Sequence, residues 1–330
     1  MPNSITDRLC RLLVNHSTAV RPGERVSVVG PAACEPMLAA LDRHILSVGG
    51  LPHRDRPVED SDVFLEIVTP SGQTPLIPPP WDLIFKRHEA GLIRWAVAAC
   101  SGPESAAALR MSPEIYDRML FTACLLDHSD PAAAWCDMTA GQARLISALE
   151  RFHDLRLVTP AGTDLRVSIA GRTWINGDAR HNLPDGEVYT GPIEDATNGV
   201  IYLDFPARHS GQVVRHARLR LHAGRVVDAT ATEGEAFLLH KLAQDAGARI
   251  LGELGFGCNE RLSAPVGHPM FDEKIAGTFH VALGASFPAT GGRNQSSIHW
   301  DLVCDLRAGG RIEADGCVIN ENGQWLVQLG

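Results

Sequence analysis

The stretch Asp154–Ile169, DLRLVTPAGTDLRVSI, decides how the chain divides. Apolar and polar residues alternate on both sides of a Pro160-Ala161-Gly162 turn, the pattern of an antiparallel hairpin with one buried face. Upstream the rhythm is different. Short apolar runs at Arg25–Gly30, from Leu51, at Asp62–Val68 and at Leu92–Ala99 are separated by helical patterns at Pro36–Ser47 and Trp81–Glu89. That rhythm predicts an open, mostly parallel sheet with flanking helices. Helices over Pro113–Leu126 and Pro131–Phe152 then lead into the hairpin. Beyond it, Gly199–Phe205, Val213–Leu221 and Gly224–Thr230 continue the alternation, and a further helix is expected over Glu233–Leu251. The expectation is an N-terminal α/β domain, residues 1–152, and a C-terminal α+β domain, residues 153–330, with a mainly antiparallel sheet or barrel-like core.

Several function classes are argued against early. A formal net charge of -9 runs against a nucleic-acid partner, whose phosphates demand a basic surface. No apolar run reaches the length that spans a bilayer. Met1–Ser17 reads as an amphipathic helix with charges at Asp7, Arg8 and Arg11, not as a secretory signal. The eight cysteines are scattered without a C-x-x-C pair, which points to a reducing, cytoplasmic setting. The Gly30-Pro31 turn belongs to neither glycine-rich phosphate-loop pattern, so nucleotide binding is rejected. Pro78-Pro79-Pro80 reads as a rigid connector.

The chemistry gathers in the second half. His299 and Asp301 are two apart in an expected strand, Ile298–Cys304, so both side chains share a face and offer two ligands to a divalent metal. Glu187 falls in a short strand after a Pro-Asp-Gly turn. Glu253 lies just past the end of the Glu233–Leu251 helix, Glu273 follows Asp272, and His280 precedes an apolar run. This many carboxylates and imidazoles exceed what one ion needs. They suit two ions a few Å apart that activate a water and polarise a carbonyl. Arg293 and Asn294, in the glycine-rich loop before His299, are candidates to hold a substrate carboxylate or carbonyl.

Four segments in order, NLPDGEVYTGP (Asn182–Pro192), LGELGFG (Leu251–Gly257), MFDEKIAGTFHVALG (Met270–Gly284) and GGRNQSSIHWD (Gly291–Asp301), resemble the metal-dependent aminopeptidase family of the aminopeptidase T and aminopeptidase S type. The resemblance covers essentially Asp154–Gly330. It implies that Glu187, Glu253, His280, His299 and Asp301 stand at metal-ligand positions for two divalent ions (zinc, cobalt or manganese), with Glu273 or Glu253 shuttling a proton. It further implies a small peptide or small amide substrate and a homodimer.

Two departures bear on activity. The family usually carries a tyrosine seven residues after the first metal histidine, and here Phe287 stands there; loss of one such oxyanion donor costs ~100–1000-fold in turnover. Tyr189, on the same strand face as Glu187, is the candidate replacement. The N-terminal half also lacks a segment of the family between Ala99 and Met111. Two other readings stay open: a ring-cleaving iron(II) dioxygenase using His280, His299 and Asp301 alone, and an altered or inactive relative on account of Phe287.

Overall fold

A computed structural model describes residues 4–54, 56–71 and 79–327; the expected proline connector begins at Pro78, outside the described residues. The chain divides into two units, residues 1–137 with 178–185, and residues 138–177 with 186–330.

In the first unit five strands pair in parallel, in the order Leu51–His53, Arg25–Val29, Val63–Val68, Arg94–Ala99, Asn182–Leu183. Val63–Ile67 are all buried, as a central strand covered on both faces must be. Helices Ile5–Leu12, Glu35–Ser47, Trp81–Glu89, Pro103–Ala108 and Pro113–Ala123 belong to this unit. Ser4 caps the first of them by accepting the Asp7 N–H at 3.1 Å. The fifth strand was not expected. At two residues it is too short for a period, and it returns from beyond the Pro131–Leu149 helix to pair Asn182 with Val97 and Leu183 with Ala98.

The second unit carries antiparallel sheets. The Asp154–Ile169 hairpin forms with Leu155 opposite Val167 and Leu157 opposite Leu165, all buried. It lies in the middle of an eight-stranded sheet running from Arg225–Thr230 through Arg218–His222, Asn198–Tyr202, Asp164–Ser168, Asp154–Val158, Arg311–Ala314 and Cys317–Glu321 to Gln324–Trp325. Its two edge strands do not pair with each other, so the sheet is open and the barrel-like alternative is corrected. A second sheet of five strands orders His299–Asp305, Thr278–Gly284, Leu251–Gly257, Glu187–Thr190 and Ile175–Asn176. Leu155 and Leu165 of the first sheet share one core with Leu254, Phe279 and Leu302 of the second and with Leu149 of the Pro131–Leu149 helix.

One helix is shorter than its pattern suggested. Only Glu235–Leu242 is helical, and Leu251–Gly257 is a strand, so Glu253 sits mid-strand and not beyond a helix end. The cause is Asp245. Its carboxylate accepts the N–H groups of Gly247 and Ala248, both at 2.9 Å, and so turns the backbone out of the helix. Among the described residues no helix is long and apolar enough to cross a membrane.

Candidate metal centre

The five-stranded sheet sorts its residues by face. Val188, Leu254, Phe256, Phe279, Val281, Leu283, Trp300 and Leu302 point into the core. The alternate positions make the other face, and strand register places them in rows. His280 pairs with Gly255, which pairs with Tyr189; Ala282 lies between Glu253 and Asp301; Gly284 is opposite His299; Gly257 is opposite Glu187. Four strands therefore bring five potential ligands to one surface, and glycine or alanine fills the positions between them. Gly255 is the clearest case: a Cβ there would sit 2.3 Å from His280 Nε2. Only glycine leaves room for that imidazole.

The side chains form two groups that share one member. Glu187, Glu253 and His280 make a buried group; Glu253, His299 and Asp301 make a half-buried one, with the ligand atoms of each group within 4.8 Å of one another. Glu253 divides its oxygens between them. Its Oε1 lies 3.0 Å from His280 Nε2 and its Oε2 lies 3.7 Å from His299 Nε2. His280 Nε2 is also 3.1 Å from Glu187 Oε2, and His299 Nε2 is 3.4 Å from Asp301 Oδ1. His299 is oriented from behind, its Nδ1–H donating to the Ala285 carbonyl at 2.9 Å, which leaves Nε2 facing the carboxylates. Among the described residues, Glu187 Oε2 and Asp301 Oδ1 are buried oxygens with no hydrogen-bond donor.

Charge explains the electrostatics. Burial works against the protonated form of His280, but Glu187 and Glu253 outweigh it and raise the imidazole well above its ordinary value. Burial also opposes the charged form of His299, which Asp301 and Glu253 nevertheless push up to about 10. Burial raises Glu253 and raises Glu273 further, Asp301 repelling both. For Glu187 and Asp301 burial is overcome, by Lys274 and His280 in the first and by His299 in the second, and both carboxyls are held below their usual range. Protons drawn onto two imidazoles by surrounding carboxylates mark a pocket whose field calls for positive charge. Carboxylate oxygens and imidazole nitrogens are donors that divalent zinc, cobalt or manganese accepts, so the residues fit a metal.

The other expected residues are placed as follows. Glu273, at the end of the short Pro269–Asp272 helix, joins the cluster through Lys274, whose ammonium lies 2.6 Å from Glu273 Oε1 and 2.5 Å from Glu187 Oε1. Lys274 was missed. In sequence it closes a charged Asp-Glu-Lys triplet that looks solvated, yet it is 1% exposed. Tyr189 shares the Glu187 face, with its ring 5.7 Å from that of Phe287, which lies 5.0 Å from His299. Asn294 commits its amide to the carbonyls of Gly247 and Gly284, at 2.9 and 2.6 Å. The Arg293 side chain is exposed, and the Arg293 backbone N–H donates to Glu194 Oε1. The residues of a three-ligand iron site are split: His280 falls in one group, His299 and Asp301 in the other.

Several known proteins resemble this chain. Aminopeptidase T of Thermus aquaticus is 30% identical over an alignment of 282 residues that covers 75% of this chain and 65% of that protein. The match thus spans a little under two thirds of the relative's length. The aminopeptidase PepS of Streptococcus thermophilus is 24% identical over 72% of this chain and 67% of its own. The structure of wild-type AmpT from Thermus thermophilus superposes with a TM-score of 0.75 over 98% of this chain and 99% of that one, at 20% identity. That of 2,5-dihydroxypyridine dioxygenase from Pseudomonas putida reaches 0.64 at 15% identity, covering 98% of each. At those identities the two structures speak for the fold alone. The profile of the thermophilic metalloproteases (M29) matches residues 81–325, more than half of the chain, and the chain belongs to that family.

Proposed function

We propose that this chain is an aminopeptidase-like hydrolase of peptide or small amide bonds that works with two divalent ions. The observation that carries the reading is Glu253, one carboxylate facing two ligand groups with one oxygen each. Glu187 and His280 would complete the buried position, His299 and Asp301 the half-buried one. Divalent ions held there lower the pKa of a bound water and polarise the scissile carbonyl. The donor set suits zinc, cobalt or manganese.

The remaining steps fall to the chain's own side chains. Glu273, raised by burial and by Asp301 and Glu187, is the group to take the proton from the attacking water and return it to the leaving amine. Glu253 is less free for that task because both of its oxygens are engaged. His299 is 29% exposed against 0% for His280, so substrate approaches from the His299 side. Tyr189 and Phe287 border that side, and the Tyr189 phenol supplies the donor that Phe287 lacks for the developing oxyanion. Arg293 keeps an exposed guanidinium for a substrate carboxylate, and Asn294 shapes the loop. The family's homodimer and a reducing compartment complete the proposal, the latter supported by eight cysteines with no disulfide between them among the described residues.

Metal counting together with hydrolysis of aminoacyl-p-nitroanilides tests it. Two ions per chain and oxygen-independent turnover are expected. One iron with oxygen consumption would establish the dioxygenase reading instead, and two ions without turnover on any substrate would establish the inactive relative.

A further inference from the structure

Lys274 brings an ammonium into the carboxylate cluster, and its placement is built. Its backbone N–H donates to Phe271, and its carbonyl accepts the Asn259 N–H at 2.9 Å. A Cβ on Gly257 would lie 2.0 Å from the Ile275 oxygen and 2.8 Å from the Lys274 carbonyl carbon, so that glycine lets the Lys274 segment close onto the sheet. The ammonium is then sealed from solvent between Glu187 Oε1 and Glu273 Oε1, two carboxylates with different expected tasks.

We propose that Lys274 is a positioning residue, an internal cation that separates the ligand carboxylate from the base. This rests on the two-ion reading above. With Oε1 tied to Lys274, Glu187 offers an ion only Oε2, the oxygen facing His280. With its own Oε1 tied to the same ammonium, Glu273 is held back as a base and does not become a further chelating ligand. An ammonium beside the pocket also repels incoming cations. Lys274 therefore trades ion affinity for a working base.

The two effects have opposite signs, which a scaffold residue would not produce. Lys274→Met should bind zinc at least about tenfold more tightly in chelator competition, because a repelling charge is gone. Its kcat should fall about 100-fold with KM little changed, because the base is no longer held. Weaker zinc binding in that variant, or an unchanged kcat, overturns the proposal. If Lys274→Met does not fold, Lys274→Arg keeps the charge and alters the bonding geometry. It should bind zinc as the wild type does while kcat drops about tenfold, and a changed zinc affinity would count against the proposal. The wild-type metal count and turnover judge the two-ion reading separately, since the Lys274 comparison is a ratio of affinities measurable with any number of bound ions.

Discussion

Replacing Glu253 with alanine should empty both metal positions, whereas replacing Glu187 or Asp301 should empty one. The asymmetry follows from the geometry. Glu253 Oε1 belongs with His280 at 3.0 Å and Oε2 with His299 at 3.7 Å, while Glu187 appears only in the first group and Asp301 only in the second. In Glu253→Ala each group falls from three protein donors to two and loses a negative charge. Outer-sphere partners alone are worth about 10–100-fold in metal affinity, so loss of a direct donor should weaken each position by more than about 100-fold. Activity should drop at least about 1000-fold, equivalent to ~4 kcal/mol of transition-state stabilisation. The metal-free protein should stay folded but melt somewhat lower, because losing Glu253 relieves its repulsion with Asp301 yet removes one of the two carboxylates paired with buried His280. Metal content after gel filtration, melting temperature in a chelator, and p-nitroanilide turnover measure the three parts. Two ions retained in Glu253→Ala, or both lost in Asp301→Ala, would refute the shared-carboxylate geometry.

Gly255→Ala should displace the His280 imidazole, whose Nε2 lies 2.3 Å from the new methyl position, and halve metal content while circular dichroism stays native. Tyr189→Phe should lower kcat about 100-fold with KM unchanged, and Phe287→Tyr, its ring 5.7 Å away, should restore part of the loss; full activity in Tyr189→Phe removes Tyr189 from the chemistry. His268 gives a pH signature. Burial, with Arg208 nearby, holds its imidazole at about 4, below the unfolded value of about 6.5, so the folded protein resists a proton that the unfolded chain accepts. Stability should therefore fall as pH drops from about 6.5 to about 4, by about 3 kcal/mol at most from this group. His268→Gln should melt with a shallower pH dependence across that window, and parallel curves would show that His268 does not contribute.

The face carrying the site was legible because a strand's period of two needs no long-range information. His299 with Asp301, and Glu187 with Tyr189, were placed on common faces from spacing alone, and the sheet bears out both pairs. Glu253 was singled out as a candidate ligand but set on the wrong element. Glycines at 252, 255 and 257 weaken any local strand signal, and the strand exists because its neighbours on both sides pair with it. Lys274 was invisible for a related reason. Nothing local distinguishes a charged residue that will be sealed between two carboxylates from one that will face water. The Asn182–Leu183 strand, two residues long, is specified by its partner and not by its own composition.

The alternation across the five-stranded sheet has a consequence for how the chain reaches its native state. A slip of one residue in any of the four ligand-bearing strands would turn Glu253, His280 or Asp301 into the apolar core and put Leu254, Phe279 or Trp300 into the polar cluster. Each such slip adds a buried, unpaired charge to a lost apolar contact, penalties of several kcal/mol acting in the same direction. The residues that equip the surface for chemistry thus also act as a proofreading device during folding, rejecting misaligned pairings of the strands that display them.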